Sequence, residues 1–471
     1  MCIRDRNYYL YFGGIFMKTR MNFKDEFYQK LKLLVLPIAI QNFMLALVSA
    51  TDAIMLGWID QTSLSAVSLA GQVQFVLSLF ISGIAAGAGI MAAQYWGKQD
   101  AASIEKVIPI ALRTNLLFSG LFTILAGFCP EMLMRIFTND AALVASGSQY
   151  LRAVALSYVL CGISQVYLIL LKNTGHAAVS SRISSTAVVL NIILNAILIY
   201  GLCGAPALGI RGAAYATVAA RVVELIWAYL ETKKPERVRI LWNRLFSSAG
   251  KILSEDFWRY TLPVLAASLV WGIAYVLYSV IMGHMGSDAV AANSITSIAK
   301  SLLSCLIRGV SGGAGVLIGN LLGANELEKA REYGGRLSHL SIAIGIVTGG
   351  LLMLISPAIV HFAPLSDTAA EYLQYMLLFC GLNLMAQSVN TTVLDGIFCA
   401  GGDAKFDMQG NIGAMWCFSV PLGFLAAFWL KLPVMVVYCI VNLDEIVKLP
   451  AVYHHYKKYI WVRNITRDVE D

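Results

Sequence analysis

Charged side chains are scarce in this chain. Asp, Glu, Lys and Arg together make up 13% of its 471 residues, whereas a soluble domain is roughly a quarter charged. Hydrophobic residues make up 58% of the sequence, and the mean hydropathy is +0.68. This composition excludes an ordinary water-soluble fold, and we expect the chain to be embedded in a lipid bilayer.

Motifs for metal, redox or hydrolytic chemistry are also missing. The nine cysteines lie mostly inside apolar stretches without CxxC or Cys–His spacing, which indicates small packing residues. The six histidines lie in loops or near the ends of apolar stretches and form no catalytic dyad. We therefore expect neither enzyme activity nor a cofactor. The stretch before Met17 or Met21 lacks the apolar core and the cleavage site of a signal peptide.

The chain contains an internal repeat, in which residues 37–97 align without a gap with residues 263–323. A shift of 226 residues superimposes Pro37 on Pro263 and also aligns five pairs of glycines between the two segments. Two copies of one module predict two structural lobes.

Apolar runs long enough to cross a bilayer, about 20 residues each, recur in both halves. We predict an all-α polytopic membrane protein with twelve transmembrane helices, near residues 33–57, 64–92, 107–128, 147–170, 183–201, 209–230, 258–283, 289–318, 337–360, 371–398, 409–430 and 433–454. Six helices per half is an even number, so both repeats enter the membrane with the same polarity. We divide the chain into an amino-terminal tail, an amino lobe, a charged linker, a carboxyl lobe and a carboxyl-terminal tail, at residues 1–30, 31–230, 231–256, 257–455 and 456–471.

Basic residues predict the orientation of the chain. They concentrate in one set of loops and in the carboxyl-terminal tail: Lys98, Lys106, Lys172, Arg182, Lys233, Lys234, Arg237, Arg239, Arg244, Lys251, Lys329, Arg331, Arg336, Lys405, Lys457, Lys458, Arg463 and Arg467. By the positive-inside rule these loops and both termini are cytoplasmic, in a plasma or inner membrane. Because the basic residues are spread between spans, the net charge of +7 indicates topology and no nucleic-acid partner.

One intramembrane carboxylate has polar side chains at its own depth. Asp52 lies about 7.5 Å below the outer end of the first helix. Asn195 and Asn191 share one face of the fifth helix, about 9 and 15 Å below its outer end, and Thr217 lies about 12 Å down the sixth. Carboxylate, amide and hydroxyl oxygens suit a small hard cation such as Na⁺, and Asp52 could instead exchange a proton. An alternative is that the amides bond neighbouring helices and that Asp52 is hydrated.

Several segments resemble the multidrug and toxic compound extrusion (MATE) family. They are LPIAI and TDAIMLG in the first helix, LNIILNAILIYG in the fifth, GAAYAT in the sixth, and the glycine-containing turns GHA at 175–177 and GGDA at 401–404. The resemblance extends from about residue 30 to about residue 455 and implies a two-lobed transporter.

That resemblance also implies a function. Family members are antiporters that export amphipathic, often cationic, compounds in exchange for Na⁺ or H⁺, and their amino-lobe cation site maps onto Asp52, Asn191, Asn195 and Thr217. Some proton-linked members have an acid at the position of Asn195, which favours Na⁺ here. Some sodium-linked members have an acid where this chain has Trp271, which argues against a cation site of that type in the carboxyl lobe. We expect the bilayer and small amphipathic compounds as partners, and a monomer.

Other charges inside the spans are candidates for gating or for lining a cavity. Arg308 and Asp395 are predicted at one depth of the carboxyl lobe, as an ion pair or as substrate- or proton-handling groups. Lys300 is predicted to line the cavity, with the alternative of a structural lysine bonded to carbonyls. Among uncharged side chains we also place Gln41, Gln72 and Asn390 in the cavity lining.

Residues with local partners are predicted to be structural. Helical spacing pairs Arg221 with Glu224 and Asp444 with Lys448, and it leaves Glu445 without an obvious partner. Pro37 and Pro263 are predicted to bend the first and seventh helices, either as a hinge or as a fixed kink.

The main alternative function is a lipid or lipid-linked oligosaccharide flippase of related two-lobed architecture. Such a protein needs several basic residues in its cavity to hold pyrophosphate, and the sequence offers mainly Lys300 and Arg308.

Overall fold

The structure is a computed structural model that describes residues 25–58, 61–240, 245, 250–363 and 365–468. Its helices are α1 Glu26–Gly57, α2 Gln61–Gly97, α3 Ala101–Phe128, α4 Pro130–Arg135, α5 Ala141–Leu171, α6 Ala177–Tyr200, α7 Ile210–Thr232, α8 Lys251–Gly283, α9 Ser287–Gly323, α10 Leu327–Phe362, α11 Asp367–Asn390, α12 Ala404–Asn411, α13 Val420–Phe424, α14 Val434–Val441 and α15 Asp444–Tyr456. Wide π-type turns continue α11 over Thr391–Phe398 and join α12 to α13 over Ile412–Ser419. A further π-type turn follows α13 over Leu425–Trp429. Within the described ranges the chain contains no β-strand.

These helices confirm the predicted all-helical polytopic class, since each of the twelve predicted spans falls on helical chain. Ten described helical segments are long and apolar enough to cross a membrane, and one of them, residues 141–200, contains two predicted spans. The last predicted span is divided into α14 and α15 by a break at Asn442 and Leu443. The predicted division of the chain at residues 231–256 remains a prediction; the helical chain resumes inside it, at Lys251.

Side-chain caps fix the start of several helices. Asp100 accepts a hydrogen bond from the backbone N–H of Ser103 at the start of α3. At the start of α5, Asp140 accepts a hydrogen bond from the N–H of Ala142. At the start of α11, Ser366 accepts one from the N–H of Ala369. Each cap satisfies a donor that the first turn of a helix leaves unpaired.

Two of the glycine-containing turns adopt the backbone that glycine favours. Gly175, between α5 and α6, has φ of 81°, and Gly402, before α12, has φ of 72°. Glycine reaches this left-handed region without the steric cost that a Cβ imposes. The two turns lie at equivalent places in the two repeats.

The repeat is visible in the way the lobes pack against each other. Gly83 of α2 lies against Leu265 of α8, and its repeat equivalent Gly309 of α9 lies against Ala39 of α1, the equivalent of Leu265. The contacts α2–α8 and α1–α9 are therefore related by the internal pseudo-symmetry. Small residues at these crossings allow helix backbones to approach closely, as membrane helices require.

Both described termini lie at one end of the bundle, which we call the terminal face. There α2 and α9 end at Gly97 and Gly323 and contact each other directly. Asp25, just before α1, forms an ion pair with Arg336 of α10 at 2.6 Å.

The C-terminal tail, residues 457–468, crosses the terminal face and contacts both lobes. In the amino lobe, the side chain of Gln94 on α2 accepts from the N–H of Ile465 at 2.8 Å. In the carboxyl lobe, Arg463 donates to the carbonyl oxygens of Gly401 and Gly402 at 2.7 and 2.6 Å. The tail therefore connects the lobes at this end, and the buried Trp461 anchors it in an apolar cluster of the carboxyl lobe.

Candidate cation site and central cavity

Four predicted polar residues form one hydrogen-bonded cluster where α1, α6 and α7 meet. The amide of Asn195 donates to Oδ1 of Asp52 at 2.5 Å and to Oδ1 of Asn191 at 3.2 Å. The amide of Asn191 donates to Oγ1 of Thr217 at 3.3 Å. Counting depth along three separate helices thus identified residues that are in contact in the fold.

The cluster offers oxygen atoms to a small ligand. Asn195 is fully buried, and its Oδ1 has no hydrogen-bond partner. A buried acceptor without a partner costs about 1–3 kcal/mol, and a bound cation or a proton donor would relieve that cost. Asp52 is the one carboxylate here, and the described chain contains no group of three His, Cys, Asp or Glu residues spaced for a metal. The donor set suits a monovalent hard cation better than a transition metal.

A tyrosine that sequence reasoning missed supports this cluster from α6. The hydroxyl of Tyr200 donates to the backbone carbonyl of Met55 at 2.6 Å. Met55 lies three residues after Asp52, so this bond ties the end of α1 to α6. The only signal in the sequence is that Tyr200 follows Asn195 by five residues near the end of the same helix.

A cavity of about 540 Å³ lies between the two lobes. Helices α1, α2, α5 and α6 line it from the amino lobe, and α8, α9, α11, α12 and α15 from the carboxyl lobe. As predicted, Gln41 and Asn390 line it. Trp271 on α8 also lines it and stacks on Tyr275 with ring centroids 5.5 Å apart.

Two residues lie elsewhere than predicted. Lys300 and Gln72 are absent from the described cavity lining, and Lys300 instead donates to Oδ1 of Asn383 at 3.0 Å inside the carboxyl lobe. The prediction for Lys300 and Gln72 was wrong because position along a helix gives the depth of a residue but does not tell which face of the helix meets the cavity. Lys172, predicted in a loop, lines the cavity from the turn between α5 and α6.

Arg308 and Asp395 both line the cavity, but they do not form the predicted ion pair. Among the described residues no nitrogen of Arg308 lies within 4 Å of the Asp395 carboxylate and neither side chain has a hydrogen-bond partner, so the two charges attract each other only at longer range. Both side chains are exposed to the cavity, where water can solvate them without a partner.

The carboxyl lobe holds a buried network of charges beside the cavity. Lys448 lies 3.6 Å from Asp444, as its helical spacing predicted, and 3.1 Å from Glu445. Glu445 is therefore paired, which corrects the expectation that it lacks a partner. Lys448 also donates to Asn411 at 3.2 Å, and Asn411 donates to Asp407 at 3.1 Å. Asp407 was not identified from the sequence, because the charge that its helical neighbour Asn411 links it to, Lys448, lies on a distant helix, α15.

The second predicted pair is also present in the structure. Arg221 donates to both carboxylate oxygens of Glu224 at 3.0 Å, and Ser164 of α5 donates to the same carboxylate at 2.6 Å. This network is structural, because it joins α5 to α7 away from the cavity.

The two prolines of the repeat lie inside continuous helices, Pro37 in α1 and Pro263 in α8. Their predicted role in helix bending remains a prediction. Pro37 precedes the cavity-lining Ile38 and Gln41 by one and four residues, and Pro263 precedes the cavity-lining Val264.

Two pseudo-symmetric helical lobes around a polar cavity, with a hydrogen-bonded polar cluster around one carboxylate in the amino lobe, define a multi-pass membrane protein of the transporter class. The MatE family model matches residues 37–197 and 263–425, and the second match begins 226 residues after the first, at the internal repeat. The chain therefore belongs to the MATE family of transporters.

Individual relatives agree with this assignment. The probable multidrug resistance protein YoeA of Bacillus subtilis (strain 168) is 21% identical over 96% of this chain and 98% of its own. The probable multidrug resistance protein NorM of Agrobacterium fabrum is 24% identical over 81% and 83% of the two chains. The fold is similar to that of a structure described as the outward-facing conformation of a multidrug resistance MATE family transporter. The two structures superimpose with a TM-score of 0.82 at 19% sequence identity, and the match covers 92% of this chain and 95% of the other.

Proposed function

We propose that this protein is a cation-coupled antiporter that exports amphipathic, often cationic, organic compounds across the cell membrane by alternating access. The observation that carries the proposal is the cluster of Asp52, Asn191, Asn195 and Thr217, which provides a carboxylate and an unpaired amide oxygen inside one lobe. Either Na⁺ or H⁺ is the coupling ion, and no further cofactor takes part.

The orientation follows from the basic loops. With the terminal face in the cytoplasm, the lobes are joined on the inside through α2, α9 and the C-terminal tail. A cation that arrives from outside then enters at Asp52 and favours the conformation that releases the exported compound. It drives the cycle only to the extent that it binds one conformation more tightly than the other.

The test is transport of a cationic dye such as ethidium in proteoliposomes, first under a sodium gradient at fixed pH and then under a proton gradient without sodium. We expect dye movement to follow one gradient and to be lost in Asp52→Asn. Asp367→Asn, an exposed acid at the start of α11, is the matched control and should leave transport unchanged. Absence of dye movement under both gradients, with folded protein, would contradict the antiporter and favour the flippase.

A further inference from the structure

The charged groups that line the cavity divide into paired and unpaired ones. Those in the described lining are three cations and three carboxylates: Lys172, Arg308, Lys448, Asp395, Asp407 and Glu445. Lys448, Glu445 and Asp407 belong to the buried network of the carboxyl lobe. Lys172, Arg308 and Asp395 have no hydrogen bond or ion pair with another described residue. Among the described residues the cavity therefore presents two cations and one carboxylate without a direct ion-pair partner, although Arg308 and Asp395 attract each other at longer range.

The three unpaired groups lie on opposite walls of the cavity. Lys172 belongs to the amino-lobe wall, in the turn after α5. Asp395 belongs to the carboxyl-lobe wall, on the continuation of α11. Arg308, on α9, lies on the carboxyl-lobe side as well. Charges of both signs thus face one space from opposite lobes.

Unpaired acceptors accompany Asp395 on the same wall. Gln387 and Asn390 precede it on α11, and both line the cavity. The Oε1 atom of Gln387 and the Oδ1 atom of Asn390 are buried without hydrogen-bond partners. Buried acceptors without partners are rare in folded proteins, so this wall is suited to a ligand group that donates N–H bonds, such as a protonated amine.

We infer that the cavity selects amphipathic zwitterions, which place a cationic amine against Asp395, Gln387 and Asn390 and an oxyanion against Lys172 and Arg308. A purely cationic compound would satisfy the first wall and leave both free cations unpaired, facing its own charge. A carboxylate, sulfonate or phosphate on the ligand removes that repulsion and accepts charge-assisted hydrogen bonds. This inference deepens the proposed export function, on which it rests for the direction of transport.

The test compares an amino-rhodamine dye that carries a free carboxylate with the methyl ester of the same dye, which is only cationic. Binding to the full chain in detergent is measured by fluorescence polarisation without any ion gradient. We expect the zwitterion to bind about tenfold more tightly than the ester. Lys172→Gln and Arg308→Gln should each remove most of this preference while affinity for the ester stays within about twofold.

Matched variants make the result specific. Lys300→Gln removes an intramembrane lysine that lies outside the described cavity lining and should preserve the preference. Lys172→Arg should also preserve it, because the charge is kept. Asp395→Asn should weaken both dyes. Ester binding checks that the cavity is folded in the Lys172, Arg308 and Lys300 variants, and thermal unfolding in detergent checks the fold of Asp395→Asn.

Two outcomes would overturn the inference: equal affinity of the wild-type chain for both dyes, or equal weakening of both dyes by Lys172→Gln. Either could occur while the gradient-driven transport test succeeds, so failure here is separable from failure of the antiporter. Competition by a short-chain phosphatidylethanolamine tells whether the preferred zwitterion is a lipid headgroup or a drug-like compound; both use the same pairing of charges.

Discussion

Gly97 of α2 and Gly323 of α9 lie at equivalent positions of the two repeats, and each contacts the backbone of the other helix. A Cβ on Gly97 would overlap the carbonyl of Asn320, and a Cβ on Gly323 would overlap the carbonyl of Gln94, the repeat equivalent of Asn320. The pseudo-symmetry axis therefore passes through this crossing. Because only a residue without a side chain fits there, the two lobes meet more closely at the terminal face than other residues would permit.

Alanine at either glycine should loosen this contact. We expect Gly97→Ala and Gly323→Ala each to cost about 1–3 kcal/mol of stability in the state with a joined terminal face. Thermal unfolding in detergent measures that cost, and spin-label distances across the face report separation of the lobes. Gly120→Ala, at a glycine with open space around its Cβ position, is the control. Wild-type stability and distances in both variants would contradict the close contact.

The C-terminal tail should control the same equilibrium. Gln94 donates to the carbonyl of Ala400 at 2.7 Å and accepts from the N–H of Ile465, so Gln94→Ala leaves two buried backbone groups unpaired at about 1–3 kcal/mol each. We expect Gln94→Ala, and removal of the residues after Tyr456, to increase the population with separated lobes at the terminal face. Spin labels at the exposed positions Ala102 and Glu328 would measure it, and an unchanged distance distribution would show that the tail does not join the lobes.

A pH-dependent contact joins the first helix to α10. The hydrogen bond from Arg336, followed by that from the N–H of Phe27, holds the pKa of the Asp25 carboxyl below its ordinary value of 3.8. A carboxyl with a lowered pKa in the folded state stabilises that state above its ordinary pKa and loses the effect as the pH falls through the lowered value.

Thermal unfolding of Asp25→Asn should reveal this. We expect the wild type to be more stable than the variant at pH 7, and the difference to shrink as the pH falls below the ordinary pKa of 3.8 and to vanish below the lowered pKa. Glu371→Gln, at an exposed acid of α11, should give no such pH-dependent difference. A constant difference between Asp25→Asn and the wild type at all pH values would exclude the carboxylate as its cause.

The sequence was sufficient for features that depend on position along a single helix. The repeat, the helical spans and the shared depth of Asp52, Asn191, Asn195 and Thr217 follow from spacing alone, and the fold links these four residues in one hydrogen-bonded cluster. Depth does not specify the face of a helix, however. For that reason Lys300 was predicted in the cavity although it contacts Asn383.

Contacts between distant segments were beyond sequence reasoning for a different reason. The bond from Ile465 to Gln94 joins residues 371 positions apart, and neither residue belongs to a recognisable motif. Asp407 is likewise linked to Lys448 of α15 through Asn411, which lies four residues further along the same helix as Asp407. The break at Asn442 carries no glycine or proline signal, so a single last helix was predicted where the chain forms two.

The buried pair in the amino lobe provides a final prediction, about stability alone. Glu224 is 1% exposed, and Arg221 and Ser164 both donate to its carboxylate. Arg221→Met should destabilise the protein by about 3–5 kcal/mol, because it leaves a buried carboxylate without its counter-charge. Arg221→Met combined with Glu224→Gln should recover most of that loss, since no net charge then remains buried. Thermal unfolding of both variants, with Arg211→Met at an exposed site as control, measures the recovery. If the double variant were as unstable as the single one, lost packing of the arginine stem would be the cause, and the charge pair would contribute little.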